Sequence, residues 1–430
     1  MKNLVFILFL LVCPTGTRAQ QADNIIGHWT GTWATAMQTP TRAFMPYNNE
    51  MTDRSVRQII KVSAGGSVLR LQLSNIFSNS PVEIRSVYIA HALDSFRIDE
   101  RSARYLHFNG SERVTVAAGK WVYSDAEHYD LKTDERLAIT INYERAPRKP
   151  TVHMGSRTTS YIMKGVTVPQ TDFARAFKYE KWFNHYEKVY SRDPFARAFK
   201  YEKWFNIAAL EVYAADVRTF AILGNSITDG KGSVTDHQNR WPDEMSFNLN
   251  EVYGRDQQRR DGKRHEYGVL NLGIGNNRVL SVGLGEAAIN RFDRDILGQH
   301  GVTDVIIFEG INDIGTAHAS LSMAQRLIDA YKTMVEKCRQ ARLRVWLATI
   351  TPMKGSGYYS VKHEICRRIV NEWVRTQRVA DGYLDFDKLM RDPADEQALR
   401  PQWRLGDNLH PNAEGYKEMG RYAADFFMKQ

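Results

Sequence analysis

The chain has 430 residues, of which 43% are hydrophobic, 11% aromatic and 25% charged, a composition that excludes collagen-like, mucin-like and wholly disordered proteins. At roughly 100–200 residues per domain, the length points to two domains. The formal net charge of +9 is interspersed with acidic residues and forms no long basic tract, which argues for solubility and some attraction to acidic polymers, and against nucleic-acid binding.

In chain order, Lys2, the apolar run Leu4 to Val12 and the small-x-small stretch Thr17-Arg18-Ala19 read as a cleavable export signal over residues 1–19. Lys2 and Arg18 account for two of the excess positive charges. The run is shorter than the ~20 apolar residues a bilayer span needs, and no later stretch comes close. A periplasmic or extracellular protein without a membrane span is expected. Lipid anchoring at Cys13 is disfavoured because Val12 stands where a small residue is wanted. The other cysteines, Cys338 and Cys366, each in a helical pattern, make no disulfide framework and no Cys/His cluster for zinc, so neither a metal nor another cofactor is expected.

Residues 25–215 carry short alternating runs rich in β-branched and aromatic residues, such as Ser67-Val-Leu-Arg-Leu-Gln-Leu and Arg136-Leu-Ala-Ile-Thr-Ile-Asn-Tyr, separated by Gly, Asn, Ser and Asp turns; this predicts an antiparallel β-sandwich. Inside this region, over 173–206, lies a tandem duplication. Phe173–Asn184 recurs unchanged as Phe195–Asn206, too few copies for a solenoid. Pro194 argues against one continuous helix, and the first copy reads as an added excursion before a strand at Ile207–Tyr213. Over 217–430 the texture changes to apolar strands alternating with helices, the pattern of a parallel sheet in a three-layer α/β/α domain. Strands are predicted near Thr219–Ser226, Gly268–Ile274, Asp304–Gly310, Arg344–Thr351 and Tyr383–Phe386, and helices starting near Pro242, Glu286, Leu321, Val361 and Ala413.

The chemistry starts at Ala221-Ile-Leu-Gly-Asn-Ser-Ile-Thr-Asp-Gly230, an apolar strand ending in a small-residue turn that carries Ser226. Strand C-termini are where open α/β sheets hold ligands. A serine hydroxyl needs a base to accept its proton and a third group to orient that base. Asp407 and His410, in Gly406-Asp-Asn-Leu-His-Pro411, are spaced so that their side chains meet in a turn-like loop or first helical turn, and they follow the last strand of the same sheet. Donors for an oxyanion are available at the Ser226 backbone, at the turn holding Gly275 and Asn276, and at Asn312.

Gly224-Asn-Ser226, Gly275/Asn276, Gly310-Ile-Asn312 and Asp407-Asn-Leu-His410 stand in the order of the four blocks of the SGNH (GDSL-type) hydrolases, which the C-terminal half resembles. The stretches Lys231-Gly-Ser, Asn239-Arg-Trp-Pro-Asp243 and Trp29-Thr-Gly-Thr-Trp33 are similar to the exported two-domain, carbohydrate-esterase-like branch. The resemblance implies a flavodoxin-like fold with Ser226 as nucleophile, His410 as base and Asp407 as its orienter. It also implies Ser226, Gly275, Asn276 and Asn312 as oxyanion donors and an acetylated plant cell-wall carbohydrate as substrate. Two positions depart from the family: Asn225 replaces its usual Asp, and Asn276 its usual Gly. Trp241, Tyr358, Tyr359 and Trp403 are candidate sugar-stacking residues, each also readable as packing. A lipolytic acylhydrolase and a weakened carbohydrate-binding homologue are the alternatives.

Other motifs are weaker. Gly283-Leu-Gly-Glu-Ala-Ala288 lacks the strand and acidic partner of a dinucleotide fingerprint. Thr228 holds the last glycine's place in G-x-S-x-G. Glu309 and Asp313 carry little weight as a glycosidase pair.

Overall fold

The computed structural model describes residues 27–40, 51–175, 202–263, 265–316 and 321–430. The export signal, Cys13 and most of both duplicated copies lie outside these residues. Up to Ala214 the strands are antiparallel. One sheet runs His28–Ala34, Ile207–Ala214, Gly66–Ser74 and Trp121–Tyr123, with Glu127–Leu131 also on Gly66–Ser74. The other runs Tyr161–Lys164, Arg54–Lys61, Arg136–Arg145, Val82–His91 and Arg104–Leu106, with Val114–Val116 also on Val82–His91. Period-two alternation buries Leu69, Leu71 and Leu73 of the first sheet in one cluster with Ile139, Ile141 and Tyr143 of the second, which makes the sandwich core. Phe173, the first residue of the duplicated block, is buried with the Arg57 guanidinium 3.9 Å from its ring centre.

From Val217 the sheet is parallel. Its order is Glu266–Gly273, Val217–Gly224, Val302–Phe308, Arg344–Ala348, Gly382–Leu384, the 2-1-3-4-5 arrangement of the flavodoxin-like fold, whose switch point lies between the first and third strands. Val217–Gly224 is buried at all but one residue, as a central strand covered on both faces must be. The helix Leu321–Gln340 packs against Val361–Thr376, and Trp241–Phe247 against Ala413–Phe427. Two local expectations shift. The second helix starts at Ala288, and Phe386 opens a short helix, Phe386–Met390, because the Asp385 side chain accepts the Lys388 N–H as its cap.

Only residues 215 and 216 separate the last sandwich strand from the first parallel one. The two sheets also touch directly, which accounts for Trp29-Thr-Gly-Thr-Trp33. Thr30 Oγ1 lies 2.9 Å from Thr219 Oγ1, and the Gly31 N–H donates to the His300 carbonyl at 3.0 Å. A Cβ on Gly31 would come within 2.8 Å of a Leu270 methyl. Thr32 Oγ1 binds the Ala64 carbonyl, and Trp33 meets Trp204 edge-on at 4.9 Å. Cys338 and Cys366 are buried free thiols, and burial pushes them up to about 12 and about 11. Among the described residues no helix is long and apolar enough to cross a membrane.

Candidate active site

Ser226 is the first residue of a four-residue helix that begins where the central strand ends, at the switch point. Asn225 caps this turn: its Oδ1 accepts the Ile227 N–H at 3.0 Å, while its Nδ2 donates to the Phe308 carbonyl at 3.3 Å and to Glu309 Oε2 at 3.4 Å. The Ser226 N–H, at a helix start, has no intrahelical acceptor. His410 comes from the loop before the last helix, with its Nε2 2.8 Å from Ser226 Oγ and its Nδ1 2.7 Å from Asp407 Oδ2. Asp407 Oδ1 takes the backbone N–H groups of Leu409 and His410, both at 3.0 Å. The spacing therefore works through a turn, with one carboxylate oxygen shaping the loop and the other holding the ring.

Charges follow from this geometry. Burial alone would raise the Asp407 carboxyl, but hydrogen bonds from the His410 ring and from the two backbone N–H groups carry it well below the ordinary carboxylate range. An ionised Asp407 places the proton on Nδ1 and leaves Nε2 as the acceptor facing Ser226. Burial pushes the His410 imidazole below its ordinary value; the Asp407 bond opposes this and the Lys231 charge adds to it.

The remaining predicted donors gather on the same pocket. Gly275, Asn276 and Asn312 line it with Ser226 and His410. Asn276 holds φ +53°, the left-handed conformation that Asn tolerates best after Gly. Among the described residues neither the Gly275 nor the Asn276 N–H has a hydrogen-bond acceptor. The Asn312 carboxamide is fixed at both ends, donating to the Asn277 carbonyl at 2.7 Å and accepting the Tyr358 hydroxyl at 3.0 Å. Asp313 accepts the Val279 and Leu280 N–H groups and so ties the two turns together. Asp313 and Glu309 are both buried and do not line the pocket.

Of the four aromatic candidates only Tyr358 lines the pocket. Trp241 is a correction: it is fully buried, opens a helix rather than lying in a loop, and packs on Phe308 and Phe386 with its Nε1 3.3 Å from Thr228 Oγ1. It supports the serine turn from behind and cannot meet a sugar. The Tyr359 hydroxyl is spent on Gln397, and Trp403 packs under Arg400. Neither lines the pocket.

Sequence reasoning missed other parts of the site. Gln38, Met154, Gly155 and Arg157 come from the sandwich region and Asp229 and Lys231 from the serine turn; all line the same pocket of about 290 Å³. The fully buried Arg291 donates to the carbonyls of Leu272 and Gly224 and to Asn277 Oδ1, pinning two strand ends beneath the site. Its only sequence signal is an arginine on the apolar side of a helix.

Residues 222–418 match the model of the GDSL-like lipase/acylhydrolase family. No curated protein matches the chain. Three of the solved structures similar to this chain each cover about half of it. A member of the lipolytic G-D-S-L family from Veillonella parvula is 17% identical over 50% of this chain and 100% of its own, with a TM-score of 0.36. A carbohydrate acetylesterase from Sinorhizobium meliloti is 14% identical over 49% and 99%, with a TM-score of 0.37. A psychrotrophic esterase from Pseudoalteromonas sp. is 17% identical over 49% and 97%, with a TM-score of 0.36.

Proposed function

We propose, on the premise that residues 222–418 form a GDSL-like lipase/acylhydrolase domain, that this ester hydrolase is an exported serine esterase removing acetyl groups from plant cell-wall polysaccharides or oligosaccharides. The observation that carries the mechanism is the Ser226–His410–Asp407 relay at 2.8 and 2.7 Å. In the first half-reaction His410 takes the Ser226 proton as Oγ attacks the ester carbonyl, then gives it to the departing alcohol. In the second it takes a proton from water, which releases the acyl group and restores the serine. The N–H groups of Ser226, Gly275 and Asn276 and the Asn312 amide receive the oxyanion.

The substrate reading rests on the pocket and on the likeness to the carbohydrate-esterase branch. A cavity of about 290 Å³ has room for a short acyl group rather than a long chain, and its walls set Met154 and Leu284 beside Gln38, Arg157, Lys231 and Tyr358, a mixed lining that can take both an acetyl methyl and a polar alcohol. Export rests on the signal read over residues 1–19. The test is acetate release from acetylated xylan, with aryl acetate and aryl decanoate compared and the mass of the mature protein read. Acetate is expected from xylan, with the aryl acetate cleaved at least tenfold faster than the decanoate and the mature chain starting at Gln20. A preference for decanoate would make the protein a lipolytic acylhydrolase, and xylan binding without acid release a carbohydrate-binding homologue.

Tyr358→Phe removes the donor that holds the Asn312 amide. We expect kcat to fall about tenfold with KM little changed, since an oxyanion donor acts mainly in the transition state. An unchanged kcat would show that the Asn277 contact is sufficient.

A further inference from the structure

Asp229 has no part in the relay, yet it sits in the same pocket as Ser226. It lies three residues on in the same helical turn, a spacing that brings side chains to one face about 5–6 Å apart. The residue is 3% exposed. Its Oδ1 is 2.9 Å from His153 Nε2, and His153 Nδ1 is 2.8 Å from the Ala36 carbonyl. Both ring nitrogens of this sandwich-region histidine thus face oxygens. A neutral imidazole has one N–H, so a second proton is shared with the carboxyl group. Whether it rides on Nε2 or on Oδ1, Asp229 Oδ2 stays a hydrogen-bond acceptor.

Among the described residues Oδ2 has no hydrogen-bond donor. Space beside it is kept by Gly155, whose Cβ would fall 2.1 Å from Oδ2; a Cβ on Gly275 would only touch it, at 3.4 Å. Asp229 lines the pocket, so a hydroxyl of a bound substrate can donate to Oδ2. An ester carbonyl cannot, and neither can a hydrocarbon chain.

We infer that Asp229, held by His153 and given room by Gly155, is a specificity-determining residue that accepts a hydrogen bond from a free hydroxyl next to the ester oxygen on the alcohol side. The substrate class is therefore partly acylated polyols. This deepens the esterase reading and rests on it. The sandwich region is then part of the substrate site, since it supplies both the group that holds Asp229 and the wall that leaves it space.

The simplest probes are 2-hydroxyethyl acetate and n-propyl acetate, close in size and differing by the vicinal hydroxyl. The wild-type protein should prefer the hydroxylated ester at least tenfold in kcat/KM, because a site built to bond a hydroxyl discriminates against its absence. In Asp229→Ala, and in Gly155→Ala, where the new methyl displaces Oδ2, that ratio should fall towards one. Equal wild-type turnover of the two esters, or a ratio that survives in Asp229→Ala, overturns the inference and leaves the esterase reading standing. No turnover of either ester overturns both. The wild-type ratio needs no variant, so the decision does not depend on the variants folding.

Discussion

Ser226→Ala is expected to lower kcat by about 10⁴-fold or more, measured by acetate release from an aryl acetate. His410→Ala should cost as much, and the double variant little more, because nucleophile and base act as one unit. Asp407→Asn is the more instructive change. Its Oδ1 would keep the Leu409 and His410 N–H groups, so the new Nδ2 would face the ring and donate to Nδ1. The ring proton would be forced onto Nε2, leaving no acceptor for Ser226, and a loss of roughly 10³–10⁴ in kcat is expected. In the unmutated protein the neutral imidazole is the active form, and burial holds its value down. The acid limb of kcat/KM should therefore lie below the ordinary histidine range near 6.5. A limb above that range, or an Asp407→Asn variant with near-normal kcat, would break the assignment of His410 as a buried base oriented by Asp407.

Asn225→Asp, which restores the residue usual in the resembling family, is expected to destabilise this protein by about 2–4 kcal/mol at neutral pH. The Asn225 Nδ2 donates to the Phe308 carbonyl and to Glu309, and a carboxylate in its place offers oxygen to oxygen. Glu309 is fully buried; burial raises its carboxyl well above the ordinary range, Arg291 opposes this and Asp313 adds to it. A second carboxyl there would make the pair hold a proton in the folded state that the unfolded chain releases. The sign follows: raised folded values contribute stability that is intact at low pH and lost as pH rises. Urea unfolding at pH 5 and pH 8 should show the variant's deficit widening at pH 8. Glu309→Gln in the same chain should recover part of it, since a carboxamide can donate to the new aspartate. Equal stability of Asn225→Asp and the unmutated protein at pH 8 would refute the account. The asparagine is thus matched to a buried glutamate.

What was legible in the sequence was local. The serine turn, the Asp407–His410 unit and the strand–helix alternation each depend on residues within a few positions of one another, where spacing fixes geometry. The burial of Trp241 is legible as well: Trp241, Met245 and Leu249 recur every four residues and all are fully buried. The contributions of Gln38, His153, Gly155 and Arg157 were not legible. Gln38, Gly155 and Arg157 reach the pocket from outside the strands of the sandwich region, and His153, which does not line it, meets its partner Asp229 76 residues away. No periodicity encodes such pairing. The match of Asn225 to Glu309 was hidden for the same reason, the two standing 84 positions apart.

The separation of nucleophile and base along the chain has a consequence for biogenesis. Ser226 and His410 are 184 residues apart, and translation adds roughly 5–20 residues per second. A growing chain thus carries its serine for on the order of 10–40 s before its histidine exists. On the proposed mechanism the hydroxyl has no partner to take its proton during that interval, and nascent chains are expected to be hydrolytically silent. The same mechanism predicts that proteolytic fragments ending short of Asp407 are inactive, so that hydrolysis begins only with finished molecules.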